Sequence, residues 1–242
     1  MTTRRMTTRR MATRRMATER RGGAAGAGGV TGATGTTDAT GAGRAGSGAG
    51  RMPVGAALLA GPVLMAGYGV VRLVGRVVSD YGPGVWWAVA HLLFLAGVLA
   101  FVPVFLGLRG LAGERGGRRG AGEVAAWTGL VGAAAVVAQA VIDLTAGFVS
   151  ADKEAMSEMF DRVQGVPGVM PLVYTVVPML FWLGLLALLT LLAFLRRDLV
   201  PAWTPVLVLA GTVAMAVNLD LLPVGALCLG AALLPVRRGL SH

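Results

Sequence analysis

Residues Val169–Leu195, VMPLVYTVVPMLFWLGLLALLTLLAFL, run for 27 positions without one charged side chain. At 1.5 Å of rise per residue a helix of this length spans about 40 Å, more than the roughly 30 Å hydrocarbon core of a bilayer. In lipid every backbone N–H and C=O must be satisfied within the protein, which an α-helix does by itself. Soluble cores use shorter, amphipathic stretches, so this segment alone points to a membrane.

Five further apolar runs share the pattern: Pro53–Val71, Gly84–Leu108, Val124–Gly147, Leu199–Val217 and Leu221–Val236. The whole chain agrees, with 55% hydrophobic and only 14% charged residues and a mean hydropathy of +0.69. A soluble chain keeps roughly a quarter of its residues charged. Only Asn218-Leu219-Asp220 separates the last two runs. Read as one helix they would be about 57 Å long, nearly twice the bilayer core, so a tight helical hairpin is expected. The expectation is an all-α integral membrane bundle of six transmembrane helices over residues 52–238, preceded by a disordered tail over 1–51.

Orientation follows from the basic residues near the span ends. One side collects Arg44, Arg51, Arg109, Arg115, Arg118, Arg119, Arg196, Arg197, Arg237 and Arg238; the other has Arg72, Arg76, Lys153 and Arg162. Ten against four puts both termini in the cytoplasm of a bacterial cell, with Arg72 and Arg76 expected to snorkel to the outer interface. Tyr81, Trp86 and Trp87 at one level, and Trp127 and Trp203 at the other, suit an interfacial aromatic belt. Trp182, mid-span, is expected between helices. Gly129-xxx-Ala133, Ala134-xxx-Ala138 and Ala226-xxx-Gly230 let backbones approach closely, which nominates the third and sixth spans for the centre of the bundle. Between the third and fourth spans, Met156, Met159, Phe160 and Val163 recur at helical spacing. Asp152 or Ser150 is placed to cap that segment, and Gly165 with Pro167 to end it. A short amphipathic surface helix is expected within 151–167, covering the outer end of the bundle.

The tail is four copies of a five-residue unit, MTTRR, MTTRR, MATRR and MATER, followed by a stretch with 12 glycines over residues 22–50. A period of five places no recurring face on a helix, and the glycine-rich part has too little apolar surface to offset its ordering entropy. No apolar run follows the arginines until residue 53, so the tail lacks the form of a secretory signal. A chain begun at Met52 is therefore expected to insert with the helical content and melting behaviour of the full chain. Circular dichroism of the two purified proteins checks this, and a large loss of inserted protein would show that the tail arginines orient the first span.

The formal charge of +10 is concentrated in that tail and at span ends, with no basic patch interleaved with aromatics, so nucleic acid is not an expected partner. Lys153, Ile142 and Asn218 are each alone of their kind, as codon bias in a GC-rich genome produces. Gly41-Ala-Gly43-Arg-Ala-Gly46 fits the dinucleotide fingerprint GxGxxG only by letter, since no strand precedes it and no helix follows. The chain contains no HExxH, phosphate loop, CxxC or GxSxG, and one cysteine, Cys228, lies among leucines as a small apolar filler. No cofactor or metal site and no enzymatic activity is expected. The polar residues within spans are few. His91 is in the second; Gln139 and Asp143 lie one turn apart on the third; Tyr174 and Thr175 start the fourth; Asn218 and Asp220 form the hairpin. Ionisable groups in a bilayer are costly and should face the interior, water or a partner. His91, Gln139, Asp143 and Tyr174 are the candidate ligand-binding residues, with interhelical bracing as the bland alternative.

Gly61-Pro62, Gly67-Tyr68-Gly69, Gly82-Pro83-Gly84, His91 and Leu108-Arg109, taken in order, resemble small uncharacterised multi-pass membrane proteins of GC-rich actinobacteria. The resemblance covers residues 53–240 and implies class and location alone. The expected partners are the lipid bilayer and another membrane protein or a second copy. A structural or accessory subunit of the plasma membrane is the first expectation. A small transporter or permease with a polar site in the outer half is the second, and a membrane-embedded enzyme acting on lipid the third.

Overall fold

The computed structural model describes residues 53–79, 81–113 and 117–240, so the expected disordered tail lies outside the described residues. The regular structure described is helical throughout: α1 Val54–Ser79, α2 Val85–Leu111, α3 Gly117–Val149, α4 Lys153–Gln164, α5 Val176–Leu195, α6 Trp203–Val217 and α7 Leu222–Leu240. A π-turn, Met170–Tyr174, leads into α5, and a 3-10 turn, Leu219–Leu221, leads into α7. Five helical stretches are long and apolar enough to cross a membrane, and α6, with 15 residues, is a shorter apolar helix.

Several helices outrun their apolar stretches. α1 continues past Val71 to Ser79, and α3 starts at Gly117 rather than Val124. Backbone hydrogen bonding does not stop where hydrophobicity does, and Arg76 in the last turn of α1 is favoured by the helix dipole. Conversely, the run Val169–Leu195 is broken at Thr175 (φ −126°, ψ −76°), whose N–H reaches back five residues to the Met170 carbonyl at 2.9 Å. Pro178 has no N–H for the Tyr174 carbonyl, which weakens the regular ladder at this point.

The expected hairpin is present. Asn218 is extended (φ −152°, ψ 123°), its side chain accepts from the Asp220 N–H at 2.8 Å, and α7 returns along α6. The five long helices and α6 form a ring in the order α1, α2, α3, α5, α6, α7, closed by α7 on α1. Across the middle α2 meets α5, where the Phe181 ring stands edge-on to Phe101 and Phe105 at 5.2 and 5.5 Å. The core is Leu, Phe and Val from all six helices, including Leu185, Leu188, Leu189, Leu229 and Leu233.

Small residues set the closest contacts, as expected, but they do not make α3 and α7 the centre. All six helices are members of the ring, and the contact across it joins α2 to α5 rather than α3 to α7. A Cβ at Gly132 would meet the backbone of Leu180 and Phe181, and one at Gly184 would meet the backbone of Gly129. Hence α3 and α5 touch main chain to main chain. Gly211 and Gly225 give α6 and α7 the same closeness.

α4 matches the amphipathic expectation. Asp152 accepts from the Ala155 N–H at 2.8 Å as N-cap, and Gly165 ends the helix. Its Met156 is buried, and its Phe160 ring lies 6.1 Å from Trp87.

Candidate functional site

The polar groups collect at the end of the ring where α1 and α3 finish and α5 and α7 begin. His91 and Asp143 are, with Thr204, the buried polar residues among those described, at 4% and 9% exposure. His91 Nδ1 lies 2.9 Å from the Trp87 carbonyl one turn earlier on α2. A carbonyl only accepts, so Nδ1 carries the proton and Nε2 is left facing Asp143 Oδ2 across 3.7 Å. The Tyr174 hydroxyl reaches the other carboxylate oxygen, Oδ1, at 3.5 Å. At 3.7 Å the two groups are close without a hydrogen bond, and a proton carried by either one would make the approach favourable. Otherwise two lone pairs face each other in a buried space.

Aromatic rings enclose the imidazole. Trp87 stacks on it at 4.1 Å, Tyr68 meets it edge-on at 5.6 Å, and Tyr81 lies at 6.4 Å. The Trp87 indole N–H donates to the Asp143 backbone carbonyl at 2.7 Å, joining α2 to α3 at the level of the pair. Tyr81 and Trp87 were expected in an interfacial belt, and they turn inward instead to wall in His91. The Trp87 indole gains from this because its N–H is paired, whereas the Tyr81 hydroxyl is buried without a hydrogen-bond partner. Trp127 and Trp203, at the opposite end, stay exposed. Tyr81 holds a left-handed backbone (φ 52°), a conformation that costs a side-chain-bearing residue about 1–2 kcal/mol. Its contacts with Trp87 at 5.1 Å and with the Arg72 guanidinium at 5.9 Å offset that cost. Burial, then the neighbouring Tyr68, pushes the Tyr81 phenol up, so it remains a neutral hydroxyl.

Arg72 and Arg76 do not simply snorkel. Both guanidiniums reach Asp220 Oδ1 at 2.6 Å, one from each turn of α1, and tie α1 to the start of α7. Replacing Asp220 by alanine leaves two like charges one turn apart. The melting temperature is expected to fall at low salt and to recover part of the loss at high salt, where screening weakens the repulsion. Equal melting of variant and parent at both ionic strengths would show that the carboxylate contributes nothing.

Next to the pair is a cavity of ≈ 440 Å³. Met65, Phe94, Val98, Val136 and Phe181 form its inner walls, and Tyr174, Thr175, Met179, Trp182, Thr212 and Met215 close it from α5 and α6. Gln139 lines this cavity, while Asp143, one turn on, faces His91. Tyr174 belongs to both: its ring lines the cavity and its hydroxyl bonds the carboxylate. All four candidate residues therefore lie in one region, divided between a ligand-sized space and a paired acid and base. The aromatic cage escaped sequence reasoning because Tyr68, Tyr81 and Trp87 have no spacing that distinguishes a wall from a belt. Among the described residues no group of three or more His, Cys, Asp or Glu gathers as a metal site. Compared with known protein families, with curated proteins and with solved structures, the chain matches none.

Proposed function

We propose that this chain is a six-span integral protein of the bacterial plasma membrane that binds a small ligand in the cavity beside Asp143, in the manner of a small permease. The observation that carries this reading is the cavity itself, ≈ 440 Å³ and bordered by Tyr174, which also contacts the buried acid–base pair. Ligand sites are mostly apolar spaces of about 300–1,000 Å³ with a few converging polar groups, and perturbed ionisable residues concentrate at them. Five long apolar helices support the membrane assignment, and α6 serves as the sixth span by packing along α7. At about 22 Å it is short for a bilayer core, which local thinning or the flanking loop accommodates.

Ligand binding is tested by melting the purified protein against a solute and lipid library, beside a Val136→Phe variant that fills the cavity from α3. Any compound that binds only the folded state raises the melting temperature, by about 2.7 kcal/mol of stabilisation at a hundredfold excess over Kd. Compounds that stabilise both proteins equally, or none that stabilises either, would count against the site.

Orientation is tested with single cysteines at Ser157 and Gly117 in a Cys228→Ser background, using an impermeant thiol reagent on intact cells. Labelling at 157 and protection at 117 are expected from the basic-residue asymmetry. The reverse would invert the topology.

An accessory-subunit role is favoured by a different observation. On the lipid-facing side of α3 and α5, Gly120, Ala121, Ala125, Gly184 and Ala187 line adjoining shallow apolar grooves of ≈ 570 and ≈ 540 Å³. Small residues there would let a partner helix approach closely. A stoichiometric partner in purifications from native membranes, lost on Ala187→Leu, would support that role over ligand binding.

A further inference from the structure

The cavity is not sealed. Of its lining residues, Thr175 and Met179 on the α5 side and Ala216 and Leu219 on the α6 side are exposed, so it opens sideways between these two helices. The α5–α6 contact is the least extensive around the ring. The break at Thr175 lies beside this opening. In a chain that spans the bilayer, an opening between two spans faces hydrocarbon rather than water.

The lining chemistry restricts the occupant. No Arg, Lys or His lines the cavity. The hydroxyls that do are already committed: Thr212 donates to the Val208 carbonyl at 2.9 Å, Thr175 to the Met170 carbonyl at 3.0 Å, and Tyr174 to Asp143. The Gln139 amide also lines the cavity, and a polar solute would give up its hydration for that single amide and for hydroxyls already occupied. A free carboxylate would find no countercharge and would approach Asp143 behind Tyr174. An alkyl chain needs neither. Met65, Met179 and Met215 supply flexible thioethers that conform to an irregular chain.

We propose that the cavity takes an acyl chain of a bilayer phospholipid, inserted through the gap between α5 and α6 while its headgroup stays at the interface. This names the ligand class of the binding site proposed above and rests on that reading.

The test uses the full chain in nanodiscs doped with a phospholipid that carries a diazirine in its acyl chain. After irradiation, adducts are mapped by mass spectrometry. The expected adducts fall on the inner wall, at Val136, Phe181 and Met215, as well as at Met179 in the mouth. Two variants, Ala216→Trp at the mouth and Val136→Phe at the back, should each lower labelling of Phe181 severalfold while leaving lipid-facing Leu183 unchanged. Two variants are used so that a folding defect in one leaves the other decisive. Adducts confined to outward-facing residues such as Leu183 and Val206 would overturn the proposal. So would inner-wall labelling by a diazirine fatty acid that exceeds labelling by the phospholipid at equal mole fraction. A water-soluble diazirine that labels Phe181 where the phospholipid probe does not would mean a hydrated cavity. That last result refutes the acyl chain yet leaves a soluble ligand open. A library without any stabilising compound, together with no inner-wall labelling by any probe, removes the binding site itself.

Discussion

Gly132→Ala is expected to lose most of the folded protein. A methyl group at this position would fall 2.6 Å from the Leu180 carbonyl carbon and closer still to the Phe181 nitrogen. Both are backbone atoms of a packed helix, so no rotamer change relieves the contact, and α3 and α5 must separate. Separation also withdraws Phe105 from its place over Gly129 and loosens the Phe101–Phe181 contact across the middle. Overpacking typically costs about 1–3 kcal/mol and more where the neighbour cannot move. Against this, alanine in place of glycine inside a helix gains about 0.5–1 kcal/mol. The clash wins. Gly184→Ala should behave alike, because its added atom meets the Gly129 backbone from the other side. Gly120→Ala is the control: it lies on the same helix with nothing within 4 Å and should be neutral or slightly stabilising. Thermal melting in detergent separates the cases, and a Gly132→Ala protein as stable as its parent would contradict the backbone contact.

Asp143 carries the second large effect. Removing its side chain leaves His91 Nε2 and the Tyr174 hydroxyl without their partner in a largely buried place. Interhelical hydrogen bonds in membranes are worth about 0.6–2 kcal/mol, and Asp143→Ala should lose at least this much. Asp143→Asn should be milder, since its amide N–H faces Nε2 without needing a further proton. The double variant His91→Ala, Asp143→Ala should cost less than the two singles together, because each single leaves the other partner buried and unmatched. Additive energies would show that the two residues do not interact, in spite of the 3.7 Å separation. Should the pair serve ligand binding rather than bracing, stability would change little in Asp143→Asn, and stabilisation by a cavity ligand would vanish.

The sequence by itself determined the helices. Runs of about 20 apolar residues admit no other backbone in lipid, and Asn218-Leu219-Asp220 is too polar to lie mid-span, so the turn between α6 and α7 was legible. The α4 helix was legible as well, from Asp152, Gly165 and the spacing of Met156 and Phe160. Gly129 and Ala133 announced close packing, because glycine and alanine have no other use on a membrane helix face. The sequence also put His91, Gln139, Asp143 and Tyr174 toward the same end of their helices, since position along a helix follows from counting residues.

Rotation about the helix axis and the choice of neighbour were left to the tertiary structure. Lipid would be as apolar as leucine, so a hydrophobic run shows no stripe that tells an outer face from the core, and the side each helix turns inward is set by packing alone. That is why the contact across the ring joins α2 to α5 rather than α3 to α7. It is also why Tyr81 and Trp87 face His91, and why Arg72 and Arg76 turn to Asp220 from 144 and more residues away. The break at Thr175 belongs here too: Pro171 and Pro178 mark weak points, but only packing against α3 decides where the chain yields. The cavity follows from that break and from the sparse α5–α6 contact, and neither is written in any local pattern of residues.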